Sequence, residues 1–588
     1  MIHAKGKLTR PTTVVDRTLR LTEQNGADRD RDPQSRLLYA HTALAYVPRL
    51  LGAMDRNPYR PTYGCLDRQY WHYRTSAFPS EMYTEGVLPL ALVYARELPG
   101  NRWHADAQIK EWATAAMRFS ARSAHRDGSC DDYYPFERAL GAAVFSLAAC
   151  TEAYRLLKLN DDQLVTAMRR RADWLIARDE SGRLANHQAL AALALARCAR
   201  ITGDATYARA AEDRVRRTLT WQSSEGWFNE YGGADPGYQT LTIDALAKYR
   251  RLSGAAWLDE PLHRAVEFAG WFLHPDNSYA GEYGSRGTYH FYPHGLELMA
   301  GDNATAAALA DGFLAGLRDG TVACFDDDRL MAHRAGNVIE AYLDWSPRGG
   351  TGGGDSSRPR KRFFTEARLL VRRNPTCHTI ASAARGGVFK HFVAGMPAVT
   401  DAGLIVELAN GRVAVSQWHD RSRTSVYAAV RAAGHDGNGA SGELTVSGPL
   451  HFVRFETATP WKQILLHAGM LLVGRFCRGA VRRLLQRRLI TGRRPCPVRL
   501  TRVLQLLDAA GGEDDQEAQG ATLRVIDRIE IDDPRLTVRR MSFGADHQTA
   551  YVAASGVYQE AVRRPWTDLH EYVDELNAKR RVTIERWF

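Results

Sequence analysis

Hydrophobic periodicity changes once along this 588-residue chain, and that change constrains its architecture more than any single motif. From about Gln34 to Asp344, apolar residues recur at helical spacing, as in Ile109, Trp112, Ala113, Ala116 and Met117, which share one face of an α-helix. Short turns rich in Gly, Asn and Asp, such as those at Leu159 and Thr202, divide this region into about twelve runs. After about Glu366 the period becomes two, in stretches beginning at Gly387, Gly403, Arg412, Thr424, Thr522, Leu536 and Ala550, and Asn410-Gly411 is a hairpin signal between two of them. Between the two regimes, 346–362 is basic and Gly-rich and reads as an interdomain linker.

The pattern predicts a multidomain α and β protein, with a helical domain over 1–345, the linker over 346–362 and a β domain over 363–588. A dozen helices of similar length joined by short links bury their apolar faces as an array or as a closed double ring, and the expected form is the (α/α) toroid. The strands most simply make an antiparallel β-sandwich. With 45% hydrophobic and 25% charged residues the chain is neither disordered nor collagen-like. The eight cysteines are scattered without a CxxC and read as reduced thiols.

The formal charge is +11, and its location matters more than its size. Between Thr457 and Leu507 there are eleven Lys and Arg residues and no Asp or Glu, so this stretch accounts for the whole excess. A basic amphipathic insertion is therefore expected at about 458–495, with a helix over Leu472 to Leu485. One reading is an interfacial helix making peripheral contact with an anionic membrane. The preferred one is a helix docked on the sheet or on the helical half with its arginines solvated. The apolar run from Ile464 to Val473 is too short to span a bilayer. Met1 to Leu21 carries charges throughout and shows no signal peptide, so the expected compartment is the cytoplasm.

Three loops carry the chemistry-bearing residues. The first puts Asn186 and His187 at the start of a helix otherwise built of Ala and Leu. The second, around Trp227 to Tyr238, sets Glu230, Tyr231 and Asp235 in a Gly-rich turn with Tyr238 near the next helix start. The third, Gly284 to Gly295, holds Arg286, Tyr289, His290 and His294. Each has a bland reading: Asn186 as a cap, His187 as a satisfied structural histidine, Tyr238 as core, Asp235-Pro236 as a helix-start signal. Aromatics in these loops and around Tyr133 and Tyr134 suit sugar rings, whose C–H faces stack on them. No P-loop, Rossmann fingerprint, HExxH or GxSxG occurs, which argues against the common nucleotide, zinc-protease and α/β-hydrolase chemistries, and nucleic acid is not an expected partner.

Taken together, the Asn186-His187 pair, Tyr238 after its Gly-rich loop and the Gly284 to Gly295 stretch resemble the heparinase II/III-like polysaccharide lyases and the related alginate and oligoalginate lyases. That resemblance implies β-elimination on a uronate-containing polysaccharide or oligosaccharide. Asn186 becomes the carboxylate clamp with Arg286 as helper, His187 a proton acceptor or second clamp, and Tyr238 the acid on the leaving oxygen and also a candidate base. Tyr134, Trp227, Tyr231, Tyr289 and His290 are expected to bind substrate. The family often adds a histidine, and in some members a metal, from the β domain at an H-x-D motif before an apolar strand. Here Val399 stands where histidine would and Asp401 is kept; His391 or His419 could take that place in space, or each could equally be a strand-surface histidine, so the fourth catalytic position stays open and neither metal nor other cofactor is expected. The alternatives are a glycoside hydrolase using two of Asp131, Asp132, Glu137, Glu230 and Asp235, a uronate C5-epimerase, or a non-catalytic glycan-binding or polysaccharide-assembly protein.

Overall fold

The computed structural model describes residues 34–179, 183–323, 330–346, 360–431, 440–453, 459–486, 492–507, 522–544 and 566–588. The strand expected at Ala550, the N-terminal stretch and most of the expected linker lie outside the described residues.

The described residues of 34–346 are mainly helical, and short polar residues start several of the helices. Asp161 accepts from the amides of Gln163 and Leu164, Asp204 from Thr206 and Asn303 from Ala306, each satisfying donors that a helix N-terminus leaves orphaned. Leu140–Leu156, Ala185–Thr202 and Pro236–Ser253 are buried over most of their length and lie side by side. Asp162–Ile176 and Ala205–Leu219, apolar on one face only, cover Ala185–Thr202 from outside. The last helix, Leu330–Leu343, packs on the first, Leu37–Ala53, so the array returns to its beginning.

The C-terminal part is antiparallel sheet. Arg360–Phe364, Leu369–Arg373, Cys377–Ser382, Val388–Val393 and Val399–Asp401 form a five-stranded meander in chain order. A nine-stranded sheet contains Gly403–Leu408, Val413–Val415, Ala440–Val453, Pro495–Leu506 and Leu523–Ile531 among its strands, and Asn410-Gly411 turns the expected hairpin. The meander sits between two apolar layers. Leu369, Val371, Ile380 and Val388 join the helical core, whereas Leu370, Ala381 and Phe389 meet Leu444, Leu504 and Val525 of the larger sheet. Cys377–Ser382 is consequently buried at every position.

The basic insertion lies between Ala440–Val453 and Pro495–Leu506. Instead of one helix over Leu472 to Leu485 it forms Pro460–Gly469, a π turn at Met470–Gly474, and Arg478–Gln486. Its arginines also differ from expectation. Arg478 and Arg482 turn toward the helical half, Arg482 against Glu137 and Tyr134 and Arg478 beside Arg138 and Asp127, where the carboxylates offset part of the cost of burying them.

Candidate functional site

Helix Ala185–Thr202 begins after Leu184, a residue with no capping group. Glu230 supplies one from another loop. Its Oε1 accepts from the backbone N–H of Asn186 at 3.1 Å and from Asn186 Nδ2 at 2.7 Å, placing a carboxylate at a helix N-terminus, where the helix dipole favours it. Glu230 belongs to a small hairpin, Asn229–Glu230 with Gly233–Ala234, and also bridges to Leu184. That bridge brings the second loop to the Asn186-His187 pair.

Asn186 Oδ1 and Glu230 Oε2 are buried without a hydrogen-bond partner, a costly arrangement that a hydrogen-bond donor, such as a sugar hydroxyl, would relieve. Burial raises the Glu230 carboxyl from 4.5 to about 7, against the opposing hydrogen bonds from Asn186. The folded protein therefore holds a proton here that the unfolded chain releases, so this group's contribution to stability falls as pH rises from about 4.5 to about 7. Glu230→Gln is expected to flatten that part of a melting-temperature profile against pH; an unchanged slope would contradict the assignment.

His187 is half-buried, with its ring edge-on to Phe145 at 5.9 Å. A side chain at Gly141 would run into this imidazole, with a Cβ 2.9 Å from Cε1. Burial lowers the His187 pKa below its ordinary value despite Glu230 and Asp132, so the ring is neutral at pH 7.

Asp235 ties the other two loops together. It caps helix Pro236–Ser253 by accepting from Tyr238 N at 3.1 Å, accepts from Arg286 N at 2.8 Å, and takes the Thr288 hydroxyl on the same carboxylate. Tyr238 and Arg286 are thereby fixed to one anchor. The Tyr238 ring lies 4.9 Å from the His290 ring, and the Arg286 guanidinium stacks 4.4 Å from the centre of the Tyr231 ring. Burial pushes the Tyr238 phenol well above its usual value, with Arg286 opposing and Glu230 and Asp235 reinforcing, so the hydroxyl keeps its proton at neutral pH.

The β half reaches this cluster through side chains that include His419 and Arg385. His419 lies on the 229–234 hairpin, so close that a Cβ on Gly233 would fall 2.5 Å from its Nε2, and burial followed by Arg385 pulls its pKa down to about 3. Arg385, fully buried, donates to the Ser285 carbonyl at 3.2 Å. Arg385 carries no sequence signal, because its turn, Ala383–Arg385, is an ordinary link between two strands. Glu230 was legible only as a carboxylate; that it caps the Asn186 helix follows from a contact 44 residues away in sequence.

The structure brings together Asn186, His187, Tyr238, Arg286, Tyr231, His290 and His419, and places five expected residues elsewhere. His391 sits between the two sheets, bonded to Thr379 at 2.9 Å and Thr522 at 3.0 Å. Its strand neighbour Lys390 points to the helical half, since adjacent strand residues face opposite ways, and pairs with Glu282 at 3.2 Å. Asp401 is consumed by an internal ion network with Arg502 and Arg586. Trp227 packs in the helical core with its Nε1 on Glu225, Tyr289 is buried with its hydroxyl on Glu282, and Tyr134 is buried beside Arg482, so these rings are packed away rather than displayed to a sugar. Among the described residues, no three His, Cys, Asp or Glu side chains gather closely enough to hold a metal ion.

No protein-family model and no curated protein sequence matches the chain. Solved structures do. The chondroitin AC lyase of Streptomyces coelicolor A3, in complex with chondroitin sulphate, aligns with a TM-score of 0.50 at 13% identity over 89% of this chain and 69% of that one. A Paenibacillus xanthan lyase aligns at 0.47 and 12% identity over 89% of this chain, which spans 47% of that lyase's length. At 13% identity the likeness to the chondroitin AC lyase is one of fold: the two share a helical N-terminal part followed by antiparallel sheet.

Proposed function

We propose that this protein is a lyase that cleaves a uronate-containing glycan by β-elimination, on an (α/α) toroid followed by a β-sandwich. The observation that carries the reading is the convergence of Asn186, His187, Tyr238 and Arg286 from three separate loops onto one Glu230 and Asp235 framework. The kinship to the heparinase II/III-like lyases rests on these same residues.

In the proposed reaction Arg286 and the Asn186 amide bind the uronate carboxylate and draw charge from C5. Neutral His187 takes the C5 proton, the C–H electron pair forms the C4=C5 double bond, and the C4–O4 bond breaks. The departing O4 receives the phenolic proton of Tyr238. Both groups have the protonation state this requires at neutral pH.

The hydrolase reading needs two carboxylates facing the bond. Asp235 is committed to Tyr238, Arg286 and Thr288, Asp131 to the amides of Phe136 and Arg138, Glu137 to the amide of Tyr133, and Asp132 accepts from the Ser80 hydroxyl at 2.7 Å, whereas Glu230 keeps a buried oxygen without a partner. The assay is incubation with a panel of uronate polymers while near-ultraviolet absorbance is followed, since elimination creates a conjugated double bond. An absorbance rise is expected. New reducing ends without it would establish hydrolysis, solvent deuterium at C5 with chain length unchanged would establish epimerisation, and binding alone would establish an assembly role.

A further inference from the structure

Among the described residues, eight of the seventeen exposed large apolar side chains lie between Trp461 and Leu484. Trp461 is 74% exposed, Leu472 70% and Phe476 77%. A helix that merely covers a protein surface turns its apolar side inward and its arginines out. This insertion does the reverse. Arg478 and Arg482 face the helical half, Met470 is buried, and Leu465, Leu472, Val473 and Phe476 are exposed.

The charge that this segment itself carries is of one sign. No acidic residue occurs between Thr457 and Leu507, and Lys462, Arg475, Arg483 and Arg494 are exposed there. Arg502, counted in the same basic stretch, does not contribute, because it is fully buried on Asp401 and Asp527. Apolar side chains exposed on short bent helices, in a segment that carries cations and no carboxylate of its own, match an anionic lipid interface: the side chains enter the headgroup boundary while the exposed cations meet lipid phosphates. Among the described residues no helix is long and apolar enough to cross a membrane.

We propose that the 459–486 segment docks this protein on an anionic membrane surface, with Trp461, Leu465, Leu472 and Phe476 inserted at the interface. The inference is independent of the lyase reading. It also has a geometric consequence. Arg482 lies against Glu137, which binds the amide of Tyr133, and Asp132 and Tyr133 are electrostatic neighbours of His187 and Tyr238, so docking sets the rim of the candidate site beside the lipid.

The test is flotation of the full chain with phosphatidylcholine vesicles, with and without phosphatidylglycerol. Flotation is expected with the anionic vesicles and loss of about tenfold or more without them or at high salt. Leu472→Ser with Phe476→Ser, and separately Arg475→Glu with Arg483→Glu, are expected to lose a similar factor while keeping the wild-type melting temperature, since all four side chains are exposed. Wild-type protein that stays with neither vesicle would overturn the proposal, as would variants that float like wild type. A wild-type dimer that the apolar pair of substitutions makes monomeric, with no flotation by either, would assign the face to a second copy instead.

Discussion

Tyr238→Phe is expected to lower turnover by about 100- to 10,000-fold, the range for removing a positioned proton donor, with KM nearly unchanged. The reason lies in where the hydroxyl acts. The ring keeps its contact with His290 and its place after the Asp235 cap, so binding and fold survive, while the O4 leaving group loses its proton source. Initial rates by near-ultraviolet absorbance, with melting temperature as a control, read the effect. Turnover within a few fold of wild type would remove Tyr238 from the chemistry. A large rise in KM at constant kcat would make it a binding residue.

Arg502→Met is expected to cost about 3–5 kcal/mol of stability, because it leaves buried carboxylates without their principal counter-charge. Arg502 bonds Asp527 through Nε at 2.6 Å and Nη2 at 3.0 Å, and Asp401 through Nη1 at 2.9 Å. Arg586 completes the quartet, 2.8 Å from Asp401 and 2.7 Å from Asp527. Without Arg502, two carboxylates share one guanidinium in the protein interior. Burial alone would raise the Asp401 pKa, but Arg502 and Arg586 outweigh it and hold it below its ordinary value. The stabilisation is therefore full above the ordinary carboxylate range and is lost as pH falls through the depressed value. Thermal unfolding of Arg502→Met at neutral pH, compared with Arg502→Lys, checks this: Lys keeps the charge and should recover part of the loss. A melting temperature equal to wild type would show that the quartet contributes nothing.

The same quartet shows why Asp401 was legible in the sequence as a polar residue before an apolar strand but not as half of a buried ion pair. Its partners Arg502 and Arg586 are 101 and 185 residues away. His391 gives the same lesson at shorter range. Strand periodicity says that His391 and Lys390 face opposite sides, yet which side meets the helical half depends on how the meander packs between two cores. The helix starts at Asn186 and Tyr238 could be read directly, because capping and periodicity are local. Their convergence could not, since it depends on Glu230 and Asp235 reaching across loops.

What the residues alone determined is the order of the elements: helices with short polar starts, then strands, then a basic interruption among them, all readable because backbone and side-chain preferences act within a turn or two. Tertiary structure decided which polar groups meet. It put His419 and Arg385 on the helical loops, withdrew His391 and Asp401 into the sheets, and turned Arg478 and Arg482 of the insertion inward while its apolar side chains stayed exposed. These outcomes depend on burial and charge pairing between segments far apart in sequence, where desolvation, not local propensity, selects the arrangement.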